Sequence, residues 1–162
     1  MTVINMEVNI MPTIRDQTIQ QYLSTVFTSI PFNQLLGLSL DHLDEQHAIL
    51  SFDMKNELVG NFMQGILHGG VISAVLDMVG GILIMALQIH KHPDATPEDI
   101  AVLLGKCSTI DLHINYLRIG KGKHFTAKAW LQKAGQTISF TRMELYNDKE
   151  SLLATATGTY RS

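Results

Sequence analysis

A chain of 162 residues with 46% hydrophobic side chains has the size of one domain and enough apolar material for a full core, which excludes a disordered or low-complexity protein. A formal net charge of −3 implies no large basic surface, so nucleic acid is not the expected partner. Cys107 is the single cysteine, which rules out an internal disulfide or a cysteine metal cluster and suits a reducing compartment.

Residues 1–12 lack a basic start and a continuous apolar stretch, and Glu7 interrupts them. They read as a loose tail and not as a secretory signal, so the cytoplasm is the expected location. In residues 15–30, Ile19, Tyr22, Leu23, Val26 and Phe27 recur at spacings of three and four, which predicts a helix that Pro31 stops or bends. Residues 1–35 thus form an N-terminal tail and helix, and residues 36–162 a single domain. Strands are expected at 36–44 and 48–54, joined through the turn Asp44-Glu45-Gln46. In the second, Ala48, Leu50, Phe52 and Met54 alternate with Ile49, Ser51 and Asp53. A loop rich in Gly and Asn leads to a helix over about 68–90.

Beyond that helix, residues 91–99 are polar, and 97–105 suit a short extra helix. Strand spacing then returns. Ile110, Leu112, Ile114 and Tyr116 alternate with Thr109, Asp111, His113 and Asn115, and Phe125, Ala127, Ala129 and Leu131 follow the same rule. Residues 136–146 lose their alternation near Arg142, which predicts a bulge there. Residues 152–160 make the last strand. Strands closed by short turns favour antiparallel pairing, and a sheet with its helix on one face is an α+β layer.

Within the central helix, residues 71–89 are a run of 19 in which only Ser73, Asp77 and Gln88 are polar. Length alone permits a membrane span. Against it, Asp77 would cost about 2.5–3.5 kcal/mol on insertion, no basic cluster flanks the run, and the strands need a helix to cover them. The better reading is a buried core helix. Asp77 then calls for an explanation, because a carboxylate buried without a partner is costly. It either serves chemistry or pairs elsewhere, with a neighbouring backbone or with Arg118 or Arg142.

The start of the helix, His68-Gly69-Gly70, offers unpaired N–H groups and partial positive charge, and its glycines allow close approach. Such a place suits a carbonyl oxygen that is becoming negative, though His68 could simply cap the helix. Gly69 and Asp77 are eight residues apart, about 12 Å along a helix. One carbonyl carbon cannot be reached by both, so joint action requires two copies of the helix: a homodimer with composite sites between its subunits.

Asn61, Gly65, His68, Gly69, Gly70 and Asp77, with Thr109-Ile110-Asp111 and Asn115-Tyr116-Leu117-Arg118, resemble the hotdog-fold acyl-CoA thioesterases of the PaaI type. The stretches LHGGVISAVLD and STIDLHINYLR and the GKG turn look most like the bacterial YigI-like branch. The resemblance covers about residues 36–160. It implies a curved six-stranded antiparallel sheet wrapped around a long central helix, dimers that often pair into tetramers, and hydrolysis of medium- or long-chain acyl-CoA without a metal or other cofactor. By resemblance Asp77 is the nucleophile or general base. Gly69, after His68, donates its N–H to the thioester carbonyl, and Thr109 helps hold the water. The family's loop asparagine maps onto Asn61, with Gln64 as the alternative because one extra residue lies before Gly65. Gly70 joins the substrate-binding group. Arg118, Lys121 and Lys123, with two glycines between them, could hold the phosphates of coenzyme A, or form an ordinary solvated hairpin. Met78, Met85, Phe62 and Met63 are candidates for an acyl groove or for core. Two other functions compete: a hotdog dehydratase or hydratase, for which no second acid joins Asp77 on the helix, and a non-catalytic acyl-CoA binding module.

Overall fold

The computed structural model describes residues 14–162, with side chains from residue 21 onward. The expected tail, 1–12, and the side chain of Ile19 lie outside the described residues. The first helix, α1 (Ile14–Ser29), ends before Pro31 as its sequence predicts. Leu23 and Phe27 on it are buried in the main core.

The strand expected at 36–44 is shorter. Pro31 starts a second helix, α2 (Pro31–Leu36), and Gly37 closes it in the left-handed region at φ 72°, its N–H donating to the carbonyls of Asn33 and Gln34. Proline at the first position and glycine just past the last is a start–stop pair that outweighs the apolar character of the segment. The strand β1 (Ser39–Leu43) follows and pairs with β2 (His47–Asp53). Their turn is held by Asp44, whose Oδ1 accepts the N–H groups of Gln46 and His47 at 2.7 and 2.6 Å. Partial burial pushes the Asp44 carboxyl up, but the bonds from His42, Gln46 and His47 prevail and hold it below its ordinary value. Residues 55–67, expected to be loop, contain a small ribbon of β3 (Val59–Asn61) and β4 (Ile66–Leu67).

Next come α3 (Gly69–Lys91), α4 (Pro97–Leu104), β5 (Ser108–Tyr116), β6 (His124–Lys133), β7 (Ile138–Asn147) and β8 (Leu152–Arg161). The six long strands form one antiparallel sheet in the order β1-β2-β6-β7-β8-β5. Because α3 packs against β2, β6, β7, β8 and β5, the sheet wraps around it, as in the hotdog fold. Ala48, Leu50 and Phe52 of β2 and Phe125, Ala127 and Ala129 of β6 point onto the helix and are buried, as their alternation predicts. Among the described residues α3 is the one helix long and apolar enough to cross a membrane, and it is the core helix.

The irregularity expected near Arg142 lies on the neighbouring strand: Arg142 stays in step with Trp130 and Thr157, and the β6·β7 pairing slips one residue further on, between Leu131 and Lys133 of β6, opposite Thr141 and Phe140. What changes at that point is chemistry, since Ile138 and Phe140 face outward while Met143 and Leu145 face the core. The irregularity that matters lies between Thr109 and Asp111 in β5, where the pairing with β8 slips by one residue. A slip of one reverses the facing of every residue beyond it. Leu112 and Ile114 face the core, but Ile110, expected on that face, is 55% exposed. Thr109, expected on the polar face, turns toward α3 instead.

Segment 117–123 is not a hairpin. Its flanking strands, β5 and β6, are separated in the sheet by β8 and β7. The connection therefore crosses the end of the sheet, and Gly120 is buried against β4 with its carbonyl accepting the Leu67 N–H at 2.9 Å. A side chain at Gly120 would collide with Leu67, 2.8 Å from a Cβ there, so glycine lets the basic segment lie beside the start of α3.

Candidate active site

Asp77 sits in the middle of α3 on the one stripe of the helix, with Met78, Gly81 and Met85, that remains partly exposed. Among the described residues it pairs with no arginine. Arg118 donates to the Leu152 carbonyl at 2.8 Å, and Arg142 pairs with Glu144. The partners of Asp77 are hydroxyls. Thr109 donates to Oδ1 at 2.9 Å, and the Tyr160 hydroxyl lies 3.2 Å from both Oδ1 and the Asp77 backbone carbonyl. Thr109 and Tyr160 are directly opposed in the β5·β8 ladder, so one cross-strand pair presents both donors. The slip after Thr109 makes this possible, because an unbroken strand would point Ile110 at the carboxylate. Among the described residues no hydrogen bond reaches Oδ2, which leaves that oxygen free for a water or a substrate.

Tyr160 has no counterpart in the expectations drawn from sequence. It is 2% exposed, and its ring lies in a slot made by glycines. Its hydroxyl fills the space a Cβ at Gly80 would need, and its ring edge lies 2.5 Å from where a Cβ of Gly158 would stand. Glycine inside a helix costs about 1 kcal/mol relative to alanine, so the Gly80-Gly81 pair was the readable signal that something approaches α3 closely. Burial, and then the charge of Asp77 and the bond to it, push the Tyr160 phenol far above its ordinary value. It remains a neutral donor at any working pH.

The other candidates gather at the first turn of α3. His68 caps the helix: its Nδ1 accepts the Gly70 N–H at 2.8 Å, which places the ring proton on Nε2. The Gly70 N–H, proposed for substrate, is therefore already engaged. The Gly69 N–H makes no hydrogen bond among the described residues, and its carbonyl accepts from Tyr116 at 3.1 Å, which anchors the helix start to the end of β5. Asn61 folds its side chain over its own loop, Oδ1 accepting the Met63 N–H at 3.1 Å, while Gln64 is exposed. Arg118, Lys121 and Lys123 are exposed on the crossing segment. The structure thus brings Asp77 and Thr109 together and leaves Gly69 eight residues of helix away, about 12 Å, with His68 and Gly70 beside it and Asn61 and Gln64 in the ribbon before it.

An apolar cleft of about 200 Å³ opens beside Asp77. Its floor is α3, with Met78, Gly81 and Met85, and Leu104 and Cys107 line it further along. Opposite stands α1, with Leu23, Val26 and Phe27 at positions i, i+3 and i+4 of one helical face, and Ile30 just past its end. Met78 and Met85 serve both readings, packing on the core and facing the cleft. Phe62 and Met63 do not line it; they are 87% and 80% exposed at the tip of the β3–β4 ribbon. Burial raises the Cys107 thiol above its ordinary value, which keeps it protonated and unreactive.

A six-stranded sheet wrapped on an apolar helix, with one carboxylate held by strand hydroxyls, defines a hotdog-type protein. The chain belongs to the thioesterase superfamily, whose model matches residues 64–154. It is 37% identical over 131 residues to the medium/long-chain acyl-CoA thioesterase YigI of Escherichia coli K12, covering 81% of this chain and 84% of that protein. A crystal structure from Shewanella oneidensis, described as related to the thioesterase superfamily, is 37% identical and superimposes with a TM-score of 0.85 over 93% of this chain and 99% of that one. The PaaI protein of Escherichia coli shares the fold, at TM-score 0.73 and 16% identity over 90% and 94% of the two chains.

Proposed function

We propose that the protein is an acyl-CoA thioesterase acting on medium- and long-chain esters. One observation carries the reading: a carboxylate with one oxygen held by Thr109 and the other unbonded, at the mouth of an apolar cleft. The likeness to YigI supports the substrate class. So does the length of the cleft. From Asp77 to Met85 it follows α3 for about 12 Å. With C–C bonds near 1.5 Å, an extended chain advances about 1.25 Å per carbon, so roughly nine or ten carbons fit along it.

In the mechanism, Thr109 and Tyr160 fix Oδ1, and Oδ2 takes a proton from a water as that water attacks the thioester carbonyl carbon. The carbonyl oxygen becomes negative and is met by the Gly69 N–H. Collapse breaks the C–S bond. The thiolate of coenzyme A leaves and takes up the proton, and the fatty acid departs. Direct attack by Oδ2, through a mixed anhydride that water then opens, uses the same groups.

The donor at Gly69 comes from a second subunit, since 12 Å of helix separates it from Asp77 of its own chain. An edge available for that pairing is β5, nine residues long and, among the described residues, bonded on one side only. The assembly is a homodimer with two composite sites, and such dimers can pair into tetramers. Across the dimer, the ribbon carrying Asn61 and Gln64 accompanies Gly69 to the partner's cleft. Arg118, Lys121 and Lys123, on the segment that passes beside β4, meet the phosphates of coenzyme A there. The lone cysteine suits the reducing cytoplasm.

The test is release of free thiol from decanoyl-CoA by wild type and by Asp77→Asn. The variant keeps the hydrogen-bonding shape but is a poor base, and its kcat should fall by about 10²–10⁴-fold. Equal rates in the two proteins would sink the role of Asp77.

A further inference from the structure

Gly80 and Gly81 stand side by side in α3, and packing explains one of them. At Gly80 the Tyr160 hydroxyl occupies the place of a Cβ, so glycine is required there. At Gly81 a Cβ would find no neighbour nearer than the Tyr160 ring edge at 4.0 Å, an ordinary contact. Alanine would fit, and it would favour the helix, because glycine is the poorest ordinary residue in a helix interior. Gly81 is also partly exposed, whereas Gly80 and Ile82 on either side are buried.

The position of that unused space is informative. Gly81 lies one turn beyond Asp77 on the same face and lines the same cleft. Met78 and Met85 flank it, and Val26 of α1 and Ile30 just beyond it stand on the opposite wall. A polar ligand would leave its hydration there for apolar walls, which is unfavourable, whereas a hydrocarbon loses nothing by entering.

We infer that Gly81 is a specificity-determining position, over which the first carbons of the acyl chain lie on their way from the thioester carbonyl at Asp77 to Met85. The inference rests on reading the Asp77 cleft as the acyl-CoA site. It also assigns α1 a part in selectivity, although α1 lies outside the residues matched by the family model. A side chain at position 81 would narrow the passage just past the reacting carbon, so chains long enough to cross it suffer more than short ones.

Gly81→Ala and Gly81→Leu, compared with wild type, test this by melting temperature, by size in light scattering and by calorimetric binding of dodecanoic acid. Thiol release from butyryl-CoA and from dodecanoyl-CoA completes the set. The alanine variant should melt at or above the wild-type temperature, and both should keep the wild-type size. Dodecanoic acid should bind about tenfold or more weakly to Gly81→Leu, less so to Gly81→Ala, and the ratio of kcat/KM for dodecanoyl-CoA to that for butyryl-CoA should fall by a similar factor. Unaltered binding and an unaltered ratio would overturn the inference, as would an equal loss at both chain lengths. A changed size would overturn it too, because the space would then belong to a second chain. Dodecanoic acid binding that depends on position 81, in a wild type that releases no thiol from either ester, would uphold the inference and defeat the thioesterase reading instead.

Discussion

The first turn of α3 and the turn that carries Asp77 are parts of one helix with opposite chemistry. The first turn is exposed and offers donors: the Gly69 N–H makes no bond among the described residues, and His68 has taken the Gly70 N–H for the cap. The Asp77 turn is partly buried and offers an acceptor, steadied by Thr109 and Tyr160. A helix positions groups rigidly along its axis, so the two turns of one chain can never close on one carbon. What the contrast teaches is that one chain holds a donor turn and an acceptor turn too far apart to act together, which is the ground for the composite sites proposed above.

The sharpest way to break the comparison, after the exchange at Asp77, is Gly69→Pro. Proline is tolerated at the first position of a helix, and His68 already has the ψ of 137° that a residue before proline adopts. The change removes the N–H and little else, so kcat should fall by about 10²–10³-fold with the melting temperature nearly kept. Mixing Gly69→Pro with Asp77→Asn should restore partial activity once subunits have exchanged. No recovery would overturn the composite site and the role given to the Gly69 N–H.

A smaller effect is expected at the donor to Asp77. Thr109→Val keeps the shape and loses the hydroxyl, which should lower kcat by about tenfold with KM little changed. A larger rise in KM than fall in kcat would move Thr109 from holding the carboxylate to holding the substrate.

His68→Ala separates a cap from a chemical group. Loss of a cap costs about 1 kcal/mol, and the melting temperature should drop by about 2–4 °C. Stopped-assay rates for this variant within a few-fold of wild type would confirm the cap. A loss like that of Asp77→Asn would make His68 a chemical participant.

Tyr160→Phe gives the smallest effect near neutral pH and a distinct one in alkali. In the folded chain the phenol is held above its ordinary value of 10.0 by burial and by Asp77. Below that pH both folded and unfolded chains keep the proton, and the contribution to stability is complete. Above it the unfolded chain ionises first, so stability is lost as pH rises. Urea midpoints measured between neutral pH and alkali should fall less steeply for Tyr160→Phe than for wild type. Parallel curves would show that Tyr160 is not held in this way.

Much of this was legible along the chain, for reasons that differ by residue. Asp77 stood out because an apolar helix makes any charge conspicuous. The strands β2, β5 and β6 followed from alternation, and α3 from its length. Thr109 was readable through family resemblance, but its direction was not: strict alternation put it on the outer face, and the slip before Asp111 reversed that. The break in pattern was instead seen near Arg142 on β7, where the register does slip, but the extra residue belongs to β6, between Leu131 and Lys133. Tyr160 could not be singled out at all, since a tyrosine ending a strand is common, and only Gly80 hinted at its ring.

The remaining division follows from the range over which each force acts. Hydrophobic period, capping and turn chemistry act over a few residues, so the chain itself determined its helices, its strands, the cap at His68 and the αL stop at Gly37. Sheet order, the crossing of segment 117–123, the pairing of Thr109 with Tyr160 and the wall that α1 lends the cleft join residues far apart in sequence. No local pattern encodes those distances. They were decided when the sheet closed around α3 and the burial of that one helix set which strands, and which hydroxyls, came to face Asp77.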